Sequence, residues 1–546
     1  MSHVPDAPRP QRSRGRRSRR QAVAALAATA LATPLLLAAS AGPATAGPDT
    51  GNARAAGNTG KAGNTGNAER LAKELVERAD AKSAMKHMKV FQAIANHSDD
   101  NRAAGAKGHE RSAKYAGTLL RLAGYDVTYQ DFEFTYRETL AERMKVLTPN
   151  ERDVSVNLMT YTKSTPEGGT EAAIAAVPPD DSTGCQAADY ADGDYQGKIA
   201  LIRRGACSFA EKQAMAADAG ASAALIYNNE KGELSGTLGS PDASRVPTGG
   251  VSQKDGEALA AEAAKGEVTV NLEIRELQEK RSTPNVIAET PGGDPDNVVM
   301  LGAHLDSVTG GPGSNDNASG SAGLLEAALA YARADKQAPE GEQGNKVRFA
   351  LWTAEEVGLV GSEHYVSELS EKEREQIALY LNFDMIASPN HGLFVYDGDD
   401  SDGVGAGPGP EGSAQLERDI NEFMRSQGNE PRGTDFTGRS DYGPFIEVGI
   451  PSGGTFTGAE GIKSKEEQRL WGGEAGEAYD SCYHQACDDL DNLSMKAFDA
   501  NIDVIADAVG TYAWDTSGLQ QPAPKQASER TAGSTEAPHG HHHNTR

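Results

Sequence analysis

The chain has 546 residues, of which 38% are hydrophobic and 24% are charged. This length excludes a single small module and predicts two or three domains with a sizeable core. The 53 Lys and Arg are outnumbered by 79 Asp and Glu, giving a net charge of -26. We therefore expect no nucleic-acid partner, because the phosphate backbone is also negative.

The first residues have the composition of an export signal. A basic stretch ends at Arg20, an apolar run covers 22–41, and small residues follow at 44–46. This order predicts a signal peptide over 1–46 and a secreted, extracellular protein, with the Sec and twin-arginine routes both open. A stable membrane anchor is disfavoured, because Pro34 interrupts the run and Ala outnumbers Leu in it.

Both ends of the mature chain have low-complexity composition. Residues 47–67 repeat Gly, Asn, Thr and Ala, and residues 517–546 are rich in Pro, Ser, Ala and Gln before a run of histidines that begins at His539. Such segments bury too little apolar surface to fold. We expect a disordered leader and a disordered tail, with catalysis elsewhere.

The central part of the chain begins with helical patterns. Apolar spacing predicts helices over 68–94 and from Tyr115 to Gly124, and a strand over 127–134. Over 146–278 the pattern changes to short buried strands around a short helix. This change predicts a small inserted α/β domain.

Beyond the insertion, apolar strands alternate with helical patterns up to the predicted tail. The alternation predicts an α/β fold with a mostly parallel central sheet and helices on both faces. The catalytic domain is then composed of 68–145 and 279–516. Open sheets of this kind place their sites at the carboxyl ends of the strands.

The first candidate side chains follow a strand predicted over 297–301. His304 and Asp306 are two residues apart, so they face one side of an extended chain, and Asp306 could orient His304. Ten residues further, a glycine-rich loop delivers Asp316 directly before a helix. The alternative for Asp316 is a helix N-cap.

Four more candidate residues lie at later strand ends or in a loop. Glu355 and Glu356 come just past a strand predicted over 347–352, and one of them could instead cap a helix that begins near Gly358. Asp384 is the single carboxylate at the tip of the next strand. His484 lies in a loop that two cysteines close.

The two histidines and the carboxylates suit zinc, which takes nitrogen and oxygen ligands. Two zinc ions that share a bridging carboxylate need two His and three carboxylates, and a hydroxide would neutralise the remaining charge. Glu355 is then left as the base. We therefore expect two zinc ions per chain; calcium is an additional option that no pattern in the sequence shows.

At these residues the sequence resembles the secreted di-zinc aminopeptidases of the aminopeptidase Y and bacterial leucyl aminopeptidase type. The resemblance covers about 85–515 without the insertion, and its motifs are G-A-H-L-D-S, N-D-N-A-S-G, A-E-E-x-G-L-x-G-S, L-N-F-D-M-I and C-Y-H-Q-A-C-D. Asn101-Arg102 resembles a recurring pair of the family. Relatives usually have His at the position of Tyr442, which puts secondary contacts in doubt.

The resemblance implies a role for each candidate. One zinc would be held by His304 and Asp384, and Asp316 would bridge both ions. The other zinc would be held by Glu356 and His484. Glu355 would be the general acid and base, and Tyr483 would stabilise the tetrahedral oxyanion.

The insertion over 146–278 resembles a protease-associated (PA) domain at Gly197-Lys198 to Gly205 and at Cys207-Ser208-Phe209. Its implied role is to cover or regulate the cleft, and the alternative is an inert insertion. In an exported protein the natural disulfides are Cys482 with Cys487 and Cys185 with Cys207. The short loop between Cys482 and Cys487 would hold the residues inside it in place.

These features predict a secreted metallo-aminopeptidase that acts on peptide and protein N-termini as a monomer. The alternatives are a carboxypeptidase or a glutaminyl cyclase on the same fold, or a non-catalytic binding protein. A carboxypeptidase needs basic residues for the terminal carboxylate, and only Arg439 lies near the motifs. A glutaminyl cyclase needs only one zinc ion, whereas the residues here suit two. A non-catalytic binding protein would have no use for a costly cluster of charged residues.

Overall fold

The structure, a computed structural model, describes residues 56–179, 181–335, 344–405 and 407–520. The predicted signal peptide and all but the first four residues of the predicted tail lie outside these ranges. Within them, every helix is too short or too polar to cross a lipid bilayer.

The strands run through the whole described chain. In order they are β1 Asp126–Thr148, β2 Arg152–Val154, β3 Asn157–Leu158, β4 Thr170–Ala176, β5 Ile199–Arg203, β6 Ala223–Tyr227, β7 Thr248–Val251, β8 Thr269–Glu289, β9 Asp294–His304, β10 Asn345–Trp352, β11 Ile377–Phe383, β12 Phe394–Tyr396, β13 Arg432–Thr434 and β14 Ser452–Phe456.

The helices lie between these strands and at both ends. In order they are α1 Ala56–Val76, α2 Ala81–Asn96, α3 Lys107–Ala123, α4 Phe209–Asp218, α5 Gln253–Ala263, α6 Gly320–Asp335, α7 Val360–Glu368, α8 Glu371–Gln376, α9 Ser413–Ser426, α10 Gly443–Glu447, α11 Lys465–Trp471 and α12 Met495–Tyr512.

The first helices differ from the sequence pattern in two respects. The predicted helix over 68–94 is divided into α1 and α2, because Asp80 accepts a hydrogen bond from the Ser83 amide and caps α2. Helix α1 begins at Ala56, so part of the predicted leader is helical. Helix α3 ends before Gly124, whose φ of 113° gives the left-handed cap that glycine favours.

The strands form one extended sheet in the order β13-β12-β14-β11-β9-β10-β8-β4-β5-β6-β7-β3, and β1 pairs with β8 and β2. We call the part of the chain predicted as the catalytic domain, 68–145 and 279–516, the catalytic half, and the predicted insertion, 146–278, the inserted or PA half. The four central strands of the catalytic half, β14, β11, β9 and β10, are parallel. In the inserted half, β4 to β7 are also parallel. The predicted α/β fold with a mostly parallel central sheet is confirmed.

Alternate residues of the central strands enter different hydrophobic cores. Val299 and Leu301 pack with α2, α6 and α12 on one face of the sheet. Met300 between them packs with Tyr365 of α7 and Phe445 of α10 on the other. Since successive side chains of a strand point to opposite faces, helices cover both faces of the catalytic sheet, as predicted.

Strands β1 and β8 form an antiparallel ribbon that joins the two halves. The predicted strand over 127–134 continues to Thr148, and β1 pairs with β8 from Asp126 and Glu289 to Thr148 and Thr269. One end of β8 also pairs with β10 and the other with β4. The catalytic and inserted halves therefore share a continuous backbone ladder.

Candidate metal centre

The parallel strands bring the predicted site residues to one edge of the sheet. His304 is the last residue of β9, Asp384 directly follows β11, and Glu355 and Glu356 come shortly after β10. Because β11, β9 and β10 are adjacent and parallel, their carboxyl ends lie side by side. Asp316 reaches the same edge from the turn Ser314–Ser319 before α6.

The candidate ligand atoms form two groups that share Asp316. His304 Nε2 lies 3.2 Å from Asp384 Oδ1 and 3.3 Å from Asp316 Oδ1. His484 Nε2 lies 3.0 Å from Glu356 Oε2 and 3.3 Å from Asp316 Oδ2. Each oxygen of Asp316 therefore faces one imidazole and its carboxylate partner.

These distances suit zinc. Ligand atoms at about 2.0–2.2 Å from a tetrahedral ion are separated by about 3.3–3.6 Å, which is close to the spacing within each group. Glu356 Oε1 is buried and has no hydrogen-bond partner in the described part of the chain. A buried carboxylate oxygen without a partner is costly unless a cation binds it, so the donor set fits zinc ions.

Three of the turns that present these side chains use left-handed backbone at non-glycine residues. Ala354, before Glu355, has φ 58°; Met385, after Asp384, has φ 48°; and His484 has φ 59°. Such residues are uncommon outside glycine and persist where the surrounding structure holds them, typically at functional sites. These turns present Glu355 and Glu356, Asp384 and His484.

The buried charges shift the proton affinities of the candidate ligands. Burial and the neighbouring Asp316 raise the pKa of Glu356 to about 7. Burial opposes the protonated form of His484, but Glu356 and Asp316 outweigh it and raise the pKa of His484 to about 11. Burial likewise opposes protonated His304, yet Asp384 and Glu355 raise its pKa well above the usual value. The buried carboxylates therefore place negative charge beside both imidazoles.

Glu355 and Asp316 do not perform the capping roles that the sequence left open. Helix α7 begins at Val360 without a side-chain cap. The amide of Gly320 at the start of α6 donates to Asn317 Oδ1 at 2.8 Å, so Asn317 caps that helix. Glu355 lies 4.0 Å from His304 Nε2 with 13% of its side chain exposed, and burial raises its pKa well above the usual value.

Asp306 is close to His304 but does not bond to it. Asp306 Oδ1 is 3.6 Å from His304 Nδ1, and both carboxylate oxygens are buried without a hydrogen-bond partner among the described residues. This geometry places Asp306 where a small rotation would let it accept the Nδ1 proton.

Tyr483 and His484 lie in the loop that the Cys482–Cys487 disulfide closes. Their rings stack with centroids 3.8 Å apart. Burial, with Asp316 and Glu356 nearby, raises the pKa of Tyr483 well above its usual value, so its hydroxyl keeps its proton. The second predicted disulfide, Cys185–Cys207, is also formed.

Tyr442 lies outside the ligand groups. It is buried between Tyr396 and Phe436, and its hydroxyl accepts a hydrogen bond from the Gly438 amide at 3.1 Å. Within the same segment it is Ser440, and not Tyr442, that contacts a proposed ligand. The Ser440 hydroxyl donates a hydrogen bond to Asp384 Oδ2 at 2.6 Å.

Arg102 has a structural function that its sequence pattern did not reveal. Its fully buried guanidinium donates to the backbone carbonyls of Leu305, Pro312 and Gly313. It thereby fixes the loop between His304 and Asp316. The Asn101-Arg102 pair was visible in the sequence, but nothing there identified backbone carbonyls as its partners.

Comparisons with known proteins identify the family and the inserted domain. Residues 285–509 match Peptidase family M28, and residues 170–259 match the PA domain. A leucine aminopeptidase 2 of Trichophyton rubrum is 42% identical over 448 residues, which cover 82% of this chain and 87% of that protein. A probable leucine aminopeptidase 2 of Aspergillus fumigatus is 45% identical over 416 residues, covering 76% and 79%.

Solved structures show the same fold. An aminopeptidase from Aneurinibacillus sp. strain AM-1 matches with a TM-score of 0.61 at 28% identity, covering 80% of this chain and 95% of that one. A zinc aminopeptidase from Bacillus subtilis matches with a TM-score of 0.54 at 26% identity, covering 79% and 94%. With this much of the chain aligned at 42% identity or more to the fungal proteins, the protein belongs to peptidase family M28 and carries a PA domain.

Proposed function

We propose that this protein is a secreted metallo-aminopeptidase that removes N-terminal residues from peptides with two zinc ions. The observation that carries the proposal is the position of Asp316 between two groups of ligands. Each of its two carboxylate oxygens faces one imidazole–carboxylate pair. The names of the fungal relatives and of the bacterial zinc aminopeptidase support the same activity.

In this proposal His304 and Asp384 would hold one zinc, Glu356 and His484 would hold the other, and Asp316 would contribute a ligand oxygen to each. Bound zinc lowers the pKa of water and polarises a carbonyl group. Asp306 is a positioning residue for His304.

The remaining roles belong to Glu355 and Tyr483. Glu355 accepts a proton from the attacking water and delivers it to the nitrogen of the leaving amine as the peptide C–N bond breaks. The Tyr483 hydroxyl donates a hydrogen bond to the oxyanion that develops on the carbonyl oxygen.

The proposed domain division follows the sequence boundaries, with 68–145 and 279–516 as the catalytic domain and 146–278 as the PA domain. We propose that the protein acts as an extracellular monomer. Its two disulfides suit an oxidising compartment, which supports the predicted export.

A substrate panel with metal counting tests the activity. Full-length protein should release the chromophore from an aminoacyl amide with a free amine, leave the N-acetylated amide intact, and contain two zinc ions per chain. Chelation should abolish turnover and zinc should restore it. Release of C-terminal residues, or cyclisation of N-terminal glutamine by a one-zinc protein, would replace the proposal with one of its alternatives.

A further inference from the structure

Behind the candidate centre lies a group of four buried polar residues, which we call the amide–carboxylate cluster. Its members are Asn315, Asp480, Asp488 and Asn492, with exposed fractions of 0%, 1%, 1% and 8%. None belongs to the proposed ligands, and burying two carboxylates is costly unless each is fully hydrogen-bonded.

Asp488 connects the disulfide loop to the bridging residue. Its Oδ1 accepts from the Asn315 amide at 2.8 Å, and its Oδ2 accepts from the Asp316 amide at 3.0 Å. Asp488 directly follows Cys487, the end of the loop that contains His484. One carboxylate therefore joins the backbone of Asp316 to the loop that carries a ligand of the second group.

Asp480 forms the corresponding connection at the other end of the loop. Its Oδ1 accepts from the Cys482 amide at 2.8 Å, and its Oδ2 accepts from the Asn315 side chain at 2.7 Å. The Asn492 side chain donates to both carboxylates, at 2.9 Å from Asp480 Oδ1 and 3.1 Å from Asp488 Oδ1. Both ends of the loop are thus fixed to the same two asparagines.

Asn315 extends the cluster to the first group of ligands. Its Oδ1 accepts from the Ala387 amide at 3.1 Å, and its Nδ2 donates to the Ser388 hydroxyl at 3.0 Å. These residues lie in the turn after Asp384. The cluster therefore contacts the backbone of three separate segments that carry proposed ligands.

The two groups of ligands depend on the cluster to different extents. His304 ends a central strand and has 1% of its side chain exposed, whereas His484 lies on a loop and has 35% exposed. A strand end is fixed by the sheet, but a loop is fixed only by its anchors. Loss of the cluster should therefore displace His484 relative to Asp316 more than it displaces His304.

We propose that the amide–carboxylate cluster is a positioning unit that sets the separation of Asp316 and His484 and thereby the affinity of the Glu356–His484 metal site. This inference rests on the proposed function, because it assumes that those residues bind zinc. Outer contacts of this kind typically change metal affinity 10- to 100-fold when they are removed.

The substitution Asp488→Asn tests the proposal, because an amide has one acceptor oxygen for the two backbone amides that Asp488 binds. Asp491→Asn is the matched control, since it removes the same charge from an exposed position in the same segment. Asn492→Ala is a milder variant that removes the side-chain donor and leaves the backbone contacts intact. All three are made in the full chain.

Two measurements are made on each variant. Hydrogen exchange of the metal-free protein should become faster at 313–317 in Asp488→Asn and remain unchanged in β5 and β6. Zinc titration against a competing chelator should show one of two sites weakened about 10- to 100-fold, with a smaller change in Asn492→Ala and none in Asp491→Asn. Excess zinc should restore turnover of Asp488→Asn.

The outcomes separate the two proposals. If the parent binds two zinc ions and both Asp488→Asn and Asn492→Ala bind them equally tightly, the positioning role is wrong and the proposed function stands. Faster exchange throughout Asp488→Asn would indicate general destabilisation and also contradict the role, unless Asn492→Ala weakens one site alone. A parent that binds no zinc would overturn the proposed function. In that case, unchanged hydrogen exchange at 313–317 in Asp488→Asn would still contradict the positioning role of the cluster.

Discussion

Glu355 and Glu356 are adjacent in the chain but have different neighbours. Glu356 lies 3.0 Å from His484, whereas Glu355 stands 4.0 Å from His304 and is more exposed. Glu355→Gln should keep both zinc ions while turnover falls about 10² to 10⁴-fold, the usual contribution of acid–base catalysis. Glu356→Gln should lose zinc and turnover together, because an amide is a poor zinc ligand.

Metal analysis and initial rates on the two variants check this assignment, and each variant is the control for the other. Near-normal turnover of Glu355→Gln, or loss of zinc from that variant alone, would contradict the assignment of Glu355 as the base.

Glu417 has a raised pKa away from the metal centre. It is 5% exposed on α9, and burial together with Asp399 and Asp397 raises its pKa to about 8. The folded state then keeps a proton that the unfolded chain releases near pH 4.3. Because the folded state binds more protons between these values, stability falls as pH rises through this window.

We therefore expect Glu417→Gln to unfold at a temperature only slightly above that of the parent near pH 5, and at a clearly higher temperature than the parent near pH 8. The difference in unfolding free energy should grow by at most about 1.4 kcal/mol per pH unit. Thermal unfolding from pH 5 to 8 measures it, with Glu422→Gln, an exposed neighbour on α9, as control. Parallel curves for Glu417→Gln and the parent would show that Glu417 ionises normally in the folded state.

At the residue scale, the sequence located the proposed ligands because each follows an apolar strand or lies in a motif. It missed the partners of Asp488, although Asp488 was visible after Cys487. The reason is physical: Asp488 bonds to backbone amides 172 residues or more away in sequence, and any residue other than proline offers such an amide. Only the folded chain identifies which amides are used.

The two disulfides close loops of different length and position. The cysteines are 5 residues apart in Cys482–Cys487 and 22 apart in Cys185–Cys207. Chain entropy predicts stabilisation of about 2 kcal/mol for the short loop and about 3 kcal/mol for the long one. The short loop contains Tyr483 and His484. We therefore expect the Cys482–Cys487 disulfide to position these two residues in addition to its small entropic stabilisation of the fold.

We expect the double substitution of Cys482 and Cys487 by Ser to reduce zinc content and turnover strongly with a modest fall in melting temperature. The same change at Cys185 and Cys207 should lower the melting temperature more and keep both zinc ions. Calorimetry and metal analysis on the two variants measure these effects. Equal zinc contents would show that the short disulfide does not hold His484.

The element scale also shows what periodicity could not predict. The strands that carry apolar runs were predicted to within a few residues: the strands predicted over 297–301 and 347–352 are β9 and β10, Asp294–His304 and Asn345–Trp352. Strand β1 was predicted to end near Phe134, because the residues that follow include the polar Glu138, Thr139 and Glu142. From sequence alone, a stretch with such polar residues cannot be distinguished from a loop. Pairing with β8 extends it to Thr148.

For the whole molecule, the ribbon of β1 and β8 connects the PA half to the proposed catalytic residues. Phe132, Phe134 and Tyr136 of β1 form a small core with Ala354, the residue before Glu355. Asn285 of β8 accepts a hydrogen bond from the Thr353 amide at 3.1 Å. The ribbon that carries the PA half therefore also supports the turn that presents the proposed base.

The same ribbon constrains the order in which the chain can fold. Asp126 pairs with Glu289, and residues 149–268 lie between the two strands, so the ribbon is a contact of high sequence separation. Closing such a long loop is slow, and it cannot begin until the later strand has been synthesised. Both strands of the ribbon precede Glu355 and all five proposed ligands in the chain, so the strands that support the Glu355 turn are synthesised before the turn itself.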